Sequence, residues 1–273
     1  MPELPEVETI KNELAPFVAG KCISGVTLNW EGMVAYPVAK KFCRDVIAQK
    51  IVSLSRRGKY LIFNLNSGDL LIIHLKMTGA LILGSDLSEQ PRYTRAIIHL
   101  DNGNCIFFRD PRKFGKMRLV KDGAGIIGKL GFEPLEAGFT AGILAKLLAK
   151  RKAPIKIALL DQTVVAGIGN MYADESLFTA KIHPLRQADS LSDEEVGRLY
   201  KSIRQVLKAA IGNKGASVNT YYRPDGGKGT AHFYFKVAHR RGQNCAQCGE
   251  PLEYIKVRNR GTYFCRQCQP ERC

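Results

Sequence analysis

Residues 245–268 read CAQCGEPLEYIKVRNRGTYFCRQC. Two Cys-x-x-Cys pairs, Cys245/Cys248 and Cys265/Cys268, have sixteen residues between them, inside the spacing window of a zinc ribbon. Four thiolates close a tetrahedral site and leave no position for water, so the pattern implies one structural Zn2+. The ion would fold a segment too short to build a core of its own. A redox pair is the competing reading of the same residues. Cys22, Cys43 and Cys105 are scattered and Cys273 is left over at the terminus, which is not the layout of an extracellular disulfide framework. Arg258 and Arg260 fall where a two-stranded finger has its hairpin. A cationic tip there suits a groove or a phosphate, and equally a solvated basic loop.

Upstream of this module the chain changes character twice. From Phe139 to about Gly215 the spacing is helical: Ile143, Leu147 and Leu148 open it, and Ser192 with Glu195 forms a capping box ahead of Val196, Leu199, Ile203, Val206 and Leu207. The Gly-rich, polar stretch from Lys214 to Gly229 reads as a mobile loop. Earlier still, strand-like runs cover Lys59–Leu65, Asp69–Leu75, Arg95–Leu100 and Asn104–Phe108, with turn signals at Asn66-Ser67-Gly68 and Asp101-Asn102-Gly103. One helix leads them. Pro5 suits its first turn, and Val7, Ile10, Leu14 and Phe17 recur at helical spacing. Strand content stops near Gly131–Pro134. The expectation is an α+β chain with a β-rich segment over 1–133, a helical one over 134–235 and a metal module over 236–273.

The 273 residues carry 41 Lys+Arg against 25 Asp+Glu, a formal charge of +16. Hydrophobic content of 45% excludes wholesale disorder. Apolar stretches such as Leu70–Ile73 fall far short of the roughly 20 residues that span a bilayer. The opening MPELPEVETI holds three Glu and no basic residue, unlike a signal peptide, so a soluble, cytosolic protein is expected. The positive surplus favours a polyanion such as nucleic acid, although self-repulsion for solubility would need the same surplus.

The amino terminus carries chemistry of its own. Initiator methionine is normally removed before a residue as small as Pro2, which would leave a secondary amine beside the Glu3 carboxylate. An α-amine titrates near pH ~8 and reaches its nucleophilic form more easily than lysine. Neighbouring cations would lower that value further. Taken alone, the dipeptide is an ordinary Met-Pro start.

Residues 1–9, MPELPEVET, resemble the start of formamidopyrimidine-DNA glycosylases, bacterial repair enzymes for oxidised purines. Further family motifs follow in family order: Arg57-Gly58-Lys59-Tyr60, His74-Leu75-Lys76-Met77-Thr78-Gly79 and Asp110-Pro111-Arg112-Lys113-Phe114-Gly115. Ile155-Lys156 through Leu160-Asp161-Gln162, Gly167-Ile168-Gly169-Asn170-Met171-Tyr172-Ala173 and Arg260-Gly261-Thr262-Tyr263-Phe264-Cys265 complete the series. The similarity spans essentially the whole chain. It implies an N-terminal β-sandwich with a leading helix, a helix–two-turn–helix domain and a C-terminal zinc finger. The implied activity is that of a bifunctional DNA glycosylase and abasic-site lyase, working as a monomer on duplex DNA with oxidised bases or abasic sites.

The resemblance also implies roles. Pro2 would be the Schiff-base nucleophile and Glu3 the acid that protonates the sugar ring oxygen. Both must reach one deoxyribose, which suits adjacent positions. Lys59 would serve β-elimination and Arg260 δ-elimination, the latter electrostatically, because a guanidinium hardly gives up a proton. Met77, Arg112 and Phe114 would fill the void left by an extruded base. His74, Tyr93, Lys113, Lys152, Lys156 and Asn170 would contact the DNA, with Lys150, Arg151, Lys152 and Lys156 forming a basic cluster.

Three stretches depart from the family pattern. Tyr93 and Arg95 stand where a His-x-His pair is usual. Val237-Ala238-His239-Arg240 replaces Val-Tyr-Gly-Arg, and Ser217–Phe233 is unlike the usual flexible loop that covers the flipped base. Two alternatives are an endonuclease VIII type enzyme for oxidised pyrimidines and a catalytically silent zinc-ribbon DNA-binding protein. The latter would have no need of Pro2, Glu3 and Lys59 together.

Overall fold

The computed structural model describes residues 1–85 and 87–271, so Cys273 lies outside the described residues. The chain divides into two compact units, Met1–Lys129 with Asn213–His232, and Leu130–Gly212 with Phe233–Cys273. Residues 213–232, grouped with the helical segment on sequence grounds, therefore pack with the β-rich unit. The finger and the helices form one unit.

In the first unit, helix α1 (Leu4–Val18) is followed by β1 (Ile23–Leu28), β2 (Val34–Tyr36), α2 (Ala39–Val46), β3 (Ile51–Arg57), β4 (Tyr60–Leu65) and β5 (Leu70–His74). Then come β6 (Ala80–Gly84), β7 (Thr94–Leu100), β8 (Cys105–Arg109), β9 (Lys116–Val120) and the short α3 (Ala124–Ile127). The strands make a four-stranded sheet, β1-β7-β8-β6, and a five-stranded sheet, β2-β9-β5-β4-β3. All neighbours are antiparallel except β2 and β9. One core is shared by Val7, Ile10, Leu14 and Val18 of α1, Phe63 and Ile73 of one sheet, and Ile98, Ile106 and Phe108 of the other. That is a sandwich closed by its leading helix. Phe17, read as part of the apolar stripe, is exposed, and Val18 takes the core position.

The second unit holds α4 (Ala141–Leu148), α5 (Ile155–Leu160), α6 (Asn170–Ala180), α7 (Asp193–Gly212) and the hairpin β10 (Glu253–Val257) and β11 (Arg260–Phe264). The capping box on α7 is present: Ser192 N–H donates to Glu195 Oε2 (3.0 Å), and Glu195 N–H to Ser192 Oγ (3.2 Å). Gln162 shapes the double turn between α5 and α6. It donates to Leu160 O and Ile168 O and accepts from Gly167 N–H. The finger packs on α6, where Phe178 joins Val237, Cys245, Leu252 and Cys265 in a small core. The altered stretch leading into it is fixed by the buried Glu175, whose carboxylate accepts from the N–H groups of Lys236, Val237 and Ala238 at 2.8–3.0 Å.

Glu175→Gln keeps the shape but leaves three donors facing a single carbonyl oxygen. We expect a loss of about 3 kcal/mol in the unfolding free energy of the second unit, measured by denaturant titration, from weakened bonds to a charged acceptor. An unchanged midpoint would refute the assigned role.

Candidate active site

Strand register concentrates the candidate residues of the first unit at one end of the sandwich. The pairs Arg57↔Tyr60, Tyr60↔His74 and His74↔Lys116 bring turn 58–59, connection 75–79 and connection 110–115 to the same end of the five-stranded sheet. Ala80↔Arg109 and Thr94↔Arg109 do so for the other sheet. Connections 75–79 and 110–115 both cross between the sheets, so the two ends coincide.

Asp110, fully buried, ties these crossings together. Its carboxylate accepts from the Thr78 hydroxyl and Arg112 N–H (3.3 Å) on one oxygen, and from Gly115 N–H (2.7 Å) on the other. Met77 and Phe114 consequently project as loop side chains, 41% and 46% exposed, rather than as core. The Arg112 guanidinium stacks 4.7 Å from the Phe114 ring, and Lys113 is exposed beside it.

Pro2 and Glu3 are buried at the start of α1. Sequence reasoning missed the residue that places them. Glu6, also buried, accepts Glu3 N–H (2.7 Å) on one carboxylate oxygen and Ala216 N–H (2.8 Å) on the other. Its position three residues after the N-cap was the available signal. Lys59 is buried in the turn joining β3 to β4, where Gly58 takes a left-handed φ of 56°. Arg56 holds that turn against α1, donating to Gly58 O (2.9 Å) and pairing with Glu8 (2.7 Å).

The ring of His74 packs edge-on to Tyr60 at 4.6 Å, and its Nδ1 accepts Lys76 N–H at 2.9 Å. Burial, with the charges of Lys76 and Lys59 nearby, drives its pKa down to about 3. The imidazole is therefore neutral near pH 7 with its proton on Nε2, leaving an uncharged donor. Where a second histidine is usual, Arg95 turns inward and donates to Asp110 O (2.9 Å). Tyr93 is exposed, with Arg92 4.7 Å and Arg109 5.9 Å from its ring.

In the second unit, Arg258 and Asn259 both take left-handed φ and make the two-residue turn of the β10–β11 hairpin, which leaves Arg260 exposed at the tip. The adjacent Gly261 carbonyl accepts from both Lys156 Nζ (2.7 Å) and Asn170 Nδ2 (2.8 Å). Lys156 is thus not the phosphate contact expected from the basic cluster. It is 0% exposed, donates also to Thr262 Oγ1 (2.8 Å) and pairs with Asp174 at 2.8 Å. Burial pushes the Asp174 carboxyl up, while Lys156 and the Tyr263 N–H pull the other way. Of the remaining cluster, Arg151 pairs with Asp161 (2.6 Å), and Lys150 and Lys152 are exposed.

The sulfurs of Cys245, Cys248, Cys265 and Cys268 lie within 4.8 Å of one another, with 3.8 Å between Cys245 and Cys268 and 3.4 Å between Cys248 and Cys265. Tetrahedral Zn–S bonds of about 2.3 Å place sulfurs about 3.8 Å apart, so the four cysteines fit the ion. Gln247 N–H points at Cys245 Sγ and Cys268 N–H at Cys265 Sγ.

A β-sandwich closed by its leading helix, a helix–two-turn–helix segment and a four-cysteine finger together mark the class of DNA glycosylases. The formamidopyrimidine-DNA glycosylase N-terminal domain profile matches residues 1–117 and its H2TH domain profile residues 130–222, and the chain belongs to that family. It is 43% identical to the formamidopyrimidine-DNA glycosylase of Desulfitobacterium hafniense, over 98% of this chain and 100% of the relative. The crystal structure of the MutM (Fpg) protein of Thermus thermophilus superposes with a TM-score of 0.90 at 38% identity, covering 100% of both chains. The Lactococcus lactis Fpg in complex with DNA containing an abasic site matches with a TM-score of 0.92 at 32% identity, over 98% of this chain and 100% of that one.

Two outcomes separate positioning from contact. Lys156→Met should cost about 3–5 kcal/mol in stability by stranding Asp174, yet leave the slope of log affinity against log salt unchanged, whereas Lys152→Ala should flatten that slope by about one unit. A flattened slope for Lys156→Met would restore it as a phosphate ligand. Asp110→Asn should cost about 1–3 kcal/mol and slow single-turnover base excision, because both wedge-bearing crossings lose a shared acceptor. Wild-type excision by that variant would show that the wedges are held by something else.

Proposed function

We propose that the protein is a bifunctional DNA glycosylase and abasic-site lyase that removes oxidised purines, 8-oxoguanine and formamidopyrimidines, from duplex DNA as a monomer in the cytoplasm. The observation that carries the reading is the end of the sandwich where register collects Lys59, His74, Met77, Arg112 and Phe114, together with the Glu6 carboxylate that holds both the Glu3 amide and that of Ala216, in the segment whose Thr220 reaches Met77 O. The binding of abasic-site DNA and Fapy-dG DNA by the Lactococcus lactis relative supports the substrate class.

With Met1 removed, the neutral Pro2 amine attacks C1′ of the damaged nucleotide. The bond to the base breaks, the base leaves with the electron pair and takes up the proton shed by the Pro2 nitrogen, and Glu3 delivers a proton to the ring oxygen as the sugar opens. The product is an iminium joining Pro2 to C1′. Loss of a C2′ proton then expels the 3′ phosphate, with Lys59 as the acid–base group, and a second elimination expels the 5′ phosphate, with Arg260 neutralising its charge. Met77, Arg112 and Phe114 occupy the vacated stack. His74, Tyr93, Lys113, Lys152 and Asn170 are the proposed DNA contacts, His74 as a neutral N–H donor. The Zn2+ held by Cys245, Cys248, Cys265 and Cys268 contributes folding energy to the finger.

Borohydride trapping on lesion duplex tests the nucleophile and the acid together. Processed protein should form a covalent adduct, and protein retaining Met1 should not. Glu3→Gln should slow base excision by roughly 10²-fold or more while sparing most cleavage at a preformed abasic site, which needs no leaving base. Equal loss of both activities, or full trapping by protein with Met1 in place, would overturn the assignment.

A further inference from the structure

Residues 213–230 form a strap with a fixed path rather than a loose loop. Its root is pinched: Gly229 lies so close to the backbone carbonyls of Lys214 and Gly215 that a Cβ there would sit 2.2 and 2.3 Å from their oxygens. Ala216 N–H is bound to Glu6, the same carboxylate that fixes Glu3. Ser217 Oγ closes the strap on itself, donating to Tyr221 O and accepting Gly229 N–H. Thr220 Oγ1 reaches Met77 O (3.2 Å), and the Tyr221 side chain, 4% exposed, is part of the sandwich core.

Beyond Tyr221 three contacts fasten the tip. Leu83 N–H donates to Pro224 O at 2.8 Å. The Arg109 guanidinium lies 5.2 Å from the Tyr222 ring and 5.9 Å from that of Tyr93, so two of the three departures from the family pattern share one cation. Arg223 grips α1: its Nε lies 3.0 and 3.1 Å from the two Glu13 oxygens and its second nitrogen 2.9 Å from Oε1, and it also pairs with Asp225 (3.1 Å). This is a fork-on-carboxylate pair, partly sheltered at both ends.

The strap therefore runs from the carboxylate that positions the acid to the backbone of the wedge. We propose that Arg223 is a specificity-determining positioning residue: its pairing with Glu13 holds the strap preformed, so that an extruded base meets a rigid surface that selects it by shape. A preformed surface spares the ordering cost that a loose loop would incur for each substrate. The proposal rests on the glycosylase reading, and it separates two substrates of the same site. A nucleotide with a base depends on the strap, and an abasic nucleotide does not.

The test uses the full-length protein and two readouts. Hydrogen exchange of the amides of residues 217–229 is followed without DNA in wild type, Arg223→Ala and the swap Glu13→Arg/Arg223→Glu. Single-turnover excision across a panel of oxidised purines and pyrimidines is compared with cleavage of a preformed abasic site. Arg223→Ala should speed exchange in the strap about three- to tenfold and slow excision by a similar factor, with abasic-site cleavage unchanged. The swap should restore both in part, since it re-forms the pair but also sets a carboxylate beside Asp225 and a guanidinium beside Lys214.

Unchanged exchange in Arg223→Ala would overturn the latch. A loosened strap with unaltered excision across the panel, or excision and abasic-site cleavage falling together, would overturn its role in selection. Wild-type protein that shows the latch by exchange but excises nothing in the panel would refute the glycosylase reading and the selecting role with it, leaving the latch established.

Discussion

Two of the chain's passages between the sandwich sheets run through a single buried carboxylate. Asp110 accepts from Thr78 on the first crossing and from Arg112 and Gly115 on the second, and its own carbonyl accepts Arg95. A carboxylate taken out of water has to be saturated by donors, so its position is fixed by three separate points on the backbone and side chains around it, with Arg95 holding the carbonyl of the same residue. Everything that projects from that end of the sandwich inherits this rigidity. Met77, Arg112 and Phe114 are loop residues, yet each is within two positions of a group bonded to Asp110. Loops of this kind can keep large apolar side chains facing water because their backbones cannot collapse to bury them.

The second unit relies on buried charge in a different way. Lys156 with Asp174, and Glu175 with the amides of 236–238, take ions out of water and return them as geometry: helix α6 is locked to the finger at both its strand and its leading segment. Such pairs add little net stability over an apolar alternative, but they permit one arrangement and penalise others. They also change how the surplus of +16 is to be understood. Lys156, Arg56, Arg95 and Arg151 are held by partners within their own units, so the exposed cations outside such pairs are a smaller set that includes Lys113, Lys152 and Arg260.

The legibility of the fold in the sequence follows sheet position. Strands β4, β5, β7 and β8 are all interior, and interior strands read as continuous apolar runs bounded by turn residues. The four edge strands β1, β2, β3 and β6 escaped notice. β1 and β3 carry register shifts and mixed burial that erase the period of two, and β2 has three residues. β9, Lys116–Val120, is interior but alternates charged and apolar residues over only five positions. The cluster of four cysteines was legible because a four-thiolate site constrains spacing directly, and the capping box of α7 because its two residues act locally. Lys156 was misjudged for the opposite reason. Its partner Asp174 lies eighteen positions on, and nothing in the run Lys150–Lys156 distinguishes a solvated cation from a buried one. The family resemblance pointed to Pro2, Glu3 and Lys59, but not to the Glu6 carboxylate that holds the Glu3 amide.

The chain leaves the first unit at residue 129, returns to it for 213–232 and leaves again. The sandwich is therefore discontinuous in the gene. A fragment ending at Lys129 would contain every strand of both sheets and still be incomplete: the core slot of Tyr221 would be empty, and Glu6 would lose the Ala216 amide. The amino terminus cannot complete its contacts as the chain emerges during synthesis, since the Ala216 amide bound by Glu6 is made after all of the helical segment. A nascent chain thus saturates the Glu6 carboxylate beside Glu3 only when the helices that precede the finger have already been synthesised. Trimming the protein to a minimal catalytic domain would have to carry 213–232 along, either by permuting the chain or by bridging Lys129 directly to Asn213.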